Sequence, residues 1–246
     1  MNRSYAVFSV DFGPSFRQLG ESEQVFLVLL MRVLNEVNIL SKAVLFASNG
    51  LGKARGPIES AQMVTGLFFL RELASKLWEG WQFLQTSYFG AGLSRQYDHL
   101  LGPDGRQALG CMKQYFGQQA NPLKFVRDKH AFHYDACAVK NELAQRSSDE
   151  PLSAFVAEER GNCLFVFAED IATSSVLRSF HEDEGAAMRK LIEEIAIIVP
   201  GWFQEFGAAT LIALAQRCEP TAQEQRIGKP PALGKVTFPF FVRRDS

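Results

Sequence analysis

The sequence predicts a mostly α-helical fold, an antiparallel α-helical bundle with one inserted β-hairpin. Apolar residues recur at helical spacing over long segments, turn-forming residues separate those segments, and one short region has apolar residues on both sides of a Gly-Asn turn. With 246 residues and 47% hydrophobic composition, the chain can bury a sizeable core. We expect a single α-helical domain over residues 1–218 and an extended tail over residues 219–246.

The first two predicted helices are long and cover residues 21–48 and 58–86. In the first helix, apolar residues repeat at alternating spacings of four and three: Phe26, Leu30, Val33, Val37, Leu40 and Val44. The second helix has a comparable apolar stripe, and the i,i+4 pair of Glu72 and Lys76 supports it. Two long amphipathic helices joined by a glycine-rich turn are typical of an antiparallel bundle.

The apolar segment over residues 25–47 also has the length of a membrane span. Charged and amide side chains occur along it: Arg32, Asn35, Glu36, Asn38 and Lys42. A membrane-spanning helix rarely carries so many polar groups, so we expect a buried helix in a soluble, cytoplasmic protein without a signal peptide. The four cysteines are scattered and include no CxxC pair, which agrees with reduced thiols in that compartment.

Two further helices are predicted in the middle of the chain. The first begins at Asp104 and ends near Gly117. The second begins at Asn121, a good N-cap, followed by Pro122 at the first helical position, and it extends to about Gln145.

The last third of the chain is predicted to contain the β-hairpin and two C-terminal helices. The hairpin covers about residues 153–170, with its turn at "RGN". The helices lie within about 182–217, and a break is expected at Pro200.

The helix that begins at Asn121 concentrates ionisable side chains in the stretch "NPLKFVRDKHAFHYD". At about 100° per residue, apolar residues share one arc of this helix: Phe125, Phe132, Ala136 and Val139. The opposite side carries the ionisable groups: Arg127, His130, His133 and Tyr134. We refer to these four side chains as the Arg/His face, and we expect the apolar arc to point into the core.

This segment resembles the R-x(4–6)-H signature of HEPN domains, which are small α-helical bundles found in prokaryotic toxin and defence ribonucleases. Arg127 matches the motif arginine and His133 the motif histidine, with five residues between them. Asp128 matches the polar residue that commonly follows the arginine. The order of helices over about residues 20–145 also resembles the HEPN arrangement.

The resemblance implies a metal-independent endoribonuclease that needs no cofactor and acts as a homodimer on RNA. His133 would be a catalytic acid or base, His130 a second one, and Arg127 a clamp on the phosphoryl oxygens. Asp128, Lys129 and Tyr134 would contribute to substrate binding. A toxin–antitoxin or anti-phage setting, with an antitoxin or another protein partner, follows from the family alone.

Other interpretations of the same residues remain open. The Arg/His face is also compatible with a solvated helix surface on which Arg127 pairs with a neighbouring carboxylate. His130 and His133 have the i,i+3 spacing of zinc ligands, but no third ligand occurs at a suitable spacing, so we expect no metal. The formal net charge of −1 excludes a strongly basic coat protein. A non-catalytic α-helical module that binds a nucleotide, RNA or a protein partner through the Arg/His face is the alternative function.

Overall fold

A computed structural model describes residues 5–49, 56–119, 121–128, 136–147, 149, 152–177 and 183–243. These residues are predominantly helical and include one two-stranded antiparallel sheet. The predicted fold class, a mostly α-helical protein with a small antiparallel β element, is confirmed. The position of the β element differs from the prediction, as described below.

The elements of the first half are β1 (Tyr5–Asp11), α1 (Gly13–Arg17), α2 (Glu21–Ser48), α3 (Pro57–Leu84), α4 (Ser94–Tyr97) and α5 (Pro103–Phe116). A π-helical segment, Gln85–Gly90, extends α3. The two long helices expected at 21–48 and 58–86 therefore occur almost where the apolar periodicity places them. Their apolar stripes are long enough for the 3.6-residue period to identify both helices without tertiary information.

The elements of the second half are α6 (Pro122–Val126), α7 (Ala136–Gln145), α8 (Val166–Leu177), α9 (Glu184–Glu193), α10 (Val199–Cys218) and β2 (Thr221–Ile227). A π-helical segment, Glu194–Ile198, joins α9 to α10. The expected break at Pro200 is therefore absent, and the proline occupies the first turn of α10. The π-helical turn directly before it changes the backbone hydrogen-bond pattern, and such a local change accommodates a proline, which has no N–H, within a continuous helix.

The predicted hairpin over 153–170 is wrong except for one bridge. Phe155 and Leu164 exchange backbone hydrogen bonds of 2.7 and 2.8 Å. The "RGN" turn is a 3₁₀ turn, and α8 begins at Val166, where the second strand was expected. A short apolar run such as "LFVF" does not distinguish a buried strand from a buried helix, and here the helix forms.

The paired strands are β1 and β2, which come from opposite ends of the chain. Their antiparallel register runs from Tyr5 opposite Ile227 to Asp11 opposite Thr221. Both strands are exposed along their whole length. A pairing without a local turn and without a buried face has no sequence signature, which explains why the strand within the tail was not foreseen.

The described residues form two compact units, each built from three separate stretches of chain. The first unit takes its residues from 1–38, 79–119 and 199–232, and the second from 39–78, 120–198 and 233–246. Helices α2 and α3 contribute to both units.

Aromatic rings fill the core of the first unit. Phe26 stacks on Phe83 with centroids 5.6 Å apart, and Trp81 stacks on Phe116 at 4.9 Å. Helices α5 and α10 pack so closely that a Cβ added at Gly105 would lie 2.3 Å from the Cβ of Ala209. Large rings and close helix contacts thus exclude water from this core.

The second unit has a smaller aliphatic core, and ion pairs link its helices. Buried side chains from several elements form the core: Val44, Leu70, Leu73, Leu123, Val126, Ile171, Leu191 and Ile195. Arg71 of α3 binds Glu169 of α8 through two contacts, of 2.6 and 3.2 Å. A planar guanidinium that donates hydrogen bonds to both carboxylate oxygens fixes the orientation of these two helices.

Two helical stretches are long and apolar enough to cross a membrane by length and composition. They are Glu21–Ser48 and Gly185–Cys218, and 33% and 44% of their most apolar windows are buried in the structure. Core helices of soluble proteins meet the same test, so this finding alone does not assign the chain to a membrane.

Candidate functional site

The start of the candidate segment forms as predicted. The Asn121 side chain accepts hydrogen bonds from the backbone N–H groups of Leu123 and Lys124, at 3.0 and 3.2 Å, and Pro122 follows the cap. Asn121 is only 3% exposed, and Leu123 and Val126 are buried. A satisfied cap and two buried aliphatic side chains fix α6 in the second unit.

Arg127 lies immediately after α6, where the helix widens into a π-helical turn at Arg127 and Asp128. Its backbone N–H still donates to the carbonyls of Leu123 and Lys124. Four predicted site residues lie outside the described residues: Lys129, His130, His133 and Tyr134. They belong to residues 129–135, the part of the predicted helix that the structure does not describe. Of the six predicted site residues, the structure therefore describes Arg127 and Asp128.

The guanidinium of Arg127 is partly satisfied. Its Nη1 donates to Oδ1 of Asp128 at 3.1 Å, and the two side chains are 39% and 42% exposed. Its Nε is buried and has no hydrogen-bond partner among the described residues. A buried donor without a partner is costly, and the exposed part of the guanidinium is accessible to an anionic oxygen.

The prediction that the apolar arc points into the core is wrong for α7. Ala136 and Val139 were expected to point into the core, but both are exposed. Glu142 in this helix is buried instead, at 3% exposure. The helical wheel assumes one regular helix through residue 139, whereas the backbone is π-helical at Arg127 and Asp128, and residues 129–135 lie outside the described part of the chain.

Arg146 is the centre of a polar cluster that the sequence analysis did not identify. Its Nη1 contacts Oδ2 of Asp170 at 2.6 Å, its Nε contacts Oε1 of Glu142 at 3.3 Å, and its Nη2 donates to Oγ of Ser174 at 3.2 Å. Arg146 is 8% exposed, so the cluster is mostly buried. We call these four residues the Arg146 cluster; it connects α7 to α8.

Part of this cluster has a sequence signal. Glu142 and Arg146 have the i,i+4 spacing of a helical ion pair. Asp170 and Ser174 are also four residues apart, which places them on the same face if the segment is helical. The second spacing indicates a shared helix face only if these residues are helical, whereas the apolar run "LFVF" favours the predicted strand. A correct helical assignment of α8 would have placed Asp170 and Ser174 together.

The first unit contains a buried polar network of a different kind. The Tyr97 hydroxyl donates to Oε1 of Glu23 at 2.5 Å, and Arg217 also hydrogen-bonds to Glu23 and Tyr97. Burial and then the hydrogen bond to Glu23 raise the pKa of Tyr97 well above its usual range. Burial and a hydrogen bond to Asp98 raise the pKa of Tyr88 likewise. Both phenols are therefore held as neutral donors, which suits a structural role.

No group of three or more His, Cys, Asp or Glu side chains is placed to hold a metal ion within the ranges that the structure describes. No family model, curated protein or solved structure matches this chain.

Proposed function

We propose that this protein is a HEPN-like, metal-independent endoribonuclease, with Arg127 as the phosphate clamp, His133 as acid or base and His130 as a second one. Lys129, Asp128 and Tyr134 would contribute to RNA binding. The biological setting, a toxin–antitoxin or anti-phage system in the cytoplasm with an antitoxin or other protein partner, and the homodimeric state belong to the same proposal. No cofactor or metal takes part.

The observation that carries this proposal is the environment of Arg127. A capped helix holds its backbone, a part of its side chain is exposed, and its buried Nε has no partner within the described residues. The transition state of RNA cleavage places extra negative charge on the phosphoryl oxygens, and a preorganised guanidinium stabilises that charge. Asp128 can orient Nη1 while the rest of the guanidinium binds phosphate.

The histidines supply the remaining chemistry in this proposal. Cleavage without a metal needs one group to remove the proton of the 2′-hydroxyl and another to protonate the leaving 5′-oxygen. Histidine is suited to both roles because its ordinary pKa lies near neutral pH. In a homodimer, His133 of each copy could take one of the two roles.

The test is cleavage of a mixed-sequence RNA in the presence of EDTA. We expect cleavage by the unmodified protein and a loss of about 100-fold or more for Arg127→Ala and for His133→Ala. Arg32→Ala is the matched control, because Arg32 is also a surface arginine bound to a nearby carboxylate, Glu36 at 3.2 Å, and it belongs to the first unit. Its rate should remain unchanged. Equal cleavage by all variants would show that the activity resides elsewhere.

The alternative is a non-catalytic module that binds RNA, a nucleotide or a protein partner through the Arg/His face. The contact between Arg127 and Asp128 favours it, since a neighbouring carboxylate offsets the positive charge of the clamp. This alternative predicts no cleavage of any RNA by the unmodified protein, together with RNA binding that Arg127→Ala weakens. The absence of both cleavage and RNA binding would contradict the ribonuclease and the RNA-binding form of the alternative, and would leave only a nucleotide- or protein-binding module.

A further inference from the structure

The second unit contains a cavity of about 210 Å³ that the proposed ribonuclease chemistry does not use. It lies between the C-terminal part of α2, the middle of α3, and helices α8 and α9. Aliphatic and thioether side chains form most of its wall: Val44, Met63, Leu67, Leu70, Leu177 and Met188. An apolar body that enters this cavity would be removed from water on several sides.

The polar groups of the wall are concentrated on α8, with Ser48 of α2 as an additional hydroxyl. The Ser48 hydroxyl already donates to the carbonyl of Val44 at 2.8 Å, and the Ser174 hydroxyl accepts from Arg146 at 3.2 Å. Asp170 is the charged residue among the described residues of the wall, and Arg146 binds its Oδ2 at 2.6 Å. Its other oxygen, Oδ1, has no hydrogen-bond partner in the part of the chain that the structure describes.

The charges around this polar corner favour a cation. Counted over its four described residues, the Arg146 cluster combines two carboxylates, of Glu142 and Asp170, with one guanidinium, so the formal charge of these residues is negative. The Asp170 side chain is 48% exposed, which allows a charged group that binds it to keep part of its hydration. A cation at the rim with its apolar body inside therefore avoids the cost of burying a naked charge.

We propose that this cavity binds a small organic cation, whose apolar body lies among the aliphatic side chains and whose ammonium group binds Oδ1 of Asp170. The size is appropriate, because an apolar cavity of about 150 Å³ accommodates benzene, so this one accepts a body of about six carbon atoms. The anionic equivalent would meet the Asp170 carboxylate and be repelled. This site is separate from Arg127 and does not depend on ribonuclease activity.

Three ligands that differ only in their head group test the proposal on the full-length protein: hexylammonium, 1-hexanol and hexanoate. Isothermal titration calorimetry at pH 7 should give the tightest binding for hexylammonium, about fivefold to tenfold weaker binding for hexanol, and the weakest for hexanoate. Undetectable binding of hexylammonium at millimolar concentration would overturn the proposal, and so would equal or tighter binding of hexanoate.

Two kinds of variant test separately the charge of Asp170 and the volume of the cavity. Asp170→Asn keeps the size of the side chain, so it should bring the affinities for hexylammonium and hexanol to within about twofold of each other. Gly66 lines the cavity, and a Cβ there would meet Ala47 Cβ at 3.7 Å and Ser48 Oγ at 3.9 Å, which are ordinary contacts. Gly66→Leu should therefore fill the cavity and lower the affinity for all three ligands at least tenfold, whereas Gly66→Ala should have a smaller effect.

Circular dichroism establishes that each variant is folded before the titrations. An unchanged preference for hexylammonium in Asp170→Asn, or unchanged affinities in folded Gly66→Leu, would contradict the site. If Asp170→Asn does not fold because it loses its contact with Arg146, the order of the three ligands on the unmodified protein and the Gly66 variants still decide the question.

Discussion

The two units of this protein stabilise their cores differently. In the first unit, aromatic rings stack and glycines allow helices to approach closely, as at Gly105 and Ala209. In the second unit, ion pairs join the helices, a cavity of about 210 Å³ remains between them, and the candidate site lies on a short capped helix. Dense packing leaves little room for change, whereas a looser, polar-linked core can contain binding sites.

This difference explains why the functional candidates lie in the second unit. The buried Glu23, Tyr97 and Arg217 network of the first unit joins its groups to one another, and its phenol is held neutral. The second unit instead has polar groups still accessible to a ligand, namely the exposed part of the Arg127 guanidinium and Oδ1 of Asp170, judged within the described residues. Four experiments test the comparison.

The largest effect is expected for the ion pairs of the second unit. Arg146→Met removes the guanidinium from the buried Glu142 carboxylate and should lower the free energy of unfolding by about 3 kcal/mol. Arg32→Met is the control, since Arg32 and Glu36 have the same i,i+4 relation but the arginine side chain is 73% exposed. It should cost less than about 0.5 kcal/mol. Urea unfolding followed by circular dichroism measures both, and equal values would show that burial of the pair has no importance.

The next effect tests the close packing of the first unit. Gly105→Ala places a Cβ 2.3 Å from the Cβ of Ala209, and neither atom can rotate away, so α5 and α10 must separate. We expect a loss of about 1–3 kcal/mol in the free energy of unfolding. Gly110→Ala, in the same helix with no atom within 4 Å of the new Cβ, should instead stabilise by up to about 1 kcal/mol. A neutral Gly105→Ala would contradict the close contact.

A third, smaller effect concerns the neutral phenol of the first unit. Tyr97→Phe removes the hydrogen bond to Glu23 and should cost about 1 kcal/mol at pH 7. The raised pKa of Tyr97 means that the folded state retains the proton after the unfolded state, with a pKa of about 10, has begun to lose it. The stabilisation is thus present below about pH 10 and is lost above it.

Urea unfolding between pH 8 and 11 measures this effect. The unmodified protein should lose more stability over the alkaline part of this range than Tyr97→Phe does. The remaining titrating groups are common to both proteins, so their contributions cancel in the difference. Parallel pH profiles would mean that the Tyr97 phenol has the same pKa in the folded and unfolded states.

The smallest effect compares the two units within one helix, α3. Gly66→Ala in the second unit makes only ordinary contacts and should stabilise the protein by less than about 1 kcal/mol. Gly80→Ala in the first unit would place its Cβ 2.9 Å from Val33 and 3.0 Å from Phe203, so it should destabilise. The change in the midpoint of thermal unfolding measures the sign of each effect. If both changes stabilised the protein, the contrast in packing between the units would be wrong.

The accuracy of the sequence-based predictions follows the kind of interaction that forms each element. Helices α2 and α3 and the Asn121 cap depend on local periodicity and local hydrogen bonds, so they were predicted almost to the residue. Helix α8 was interpreted as a strand because "LFVF" carries no period that distinguishes the two. The predicted phase of α7 was wrong, and the turn after Val126 is π-helical, whereas the wheel assumes a regular α-helix.

The candidate sites divide in the same way. The clustering of Arg127 with His130 and His133 is visible in the sequence because they are neighbours along the chain, and their roles remain a prediction. The Arg146 cluster joins residues 24 and 28 positions apart, and the cavity joins four helices. Spacings of this length have no periodic signature.

The sequence by itself determined the helical class of the protein, the extents of its two long helices and the start of the helix that carries Arg127. These features arise from interactions within a few turns of one helix. Only the tertiary structure decided the pairing of β1 with β2, the burial of Glu142 beside Arg146, and the cavity that Asp170 borders. Each of these depends on the free energy of contacts between distant segments, which no local pattern of residues encodes.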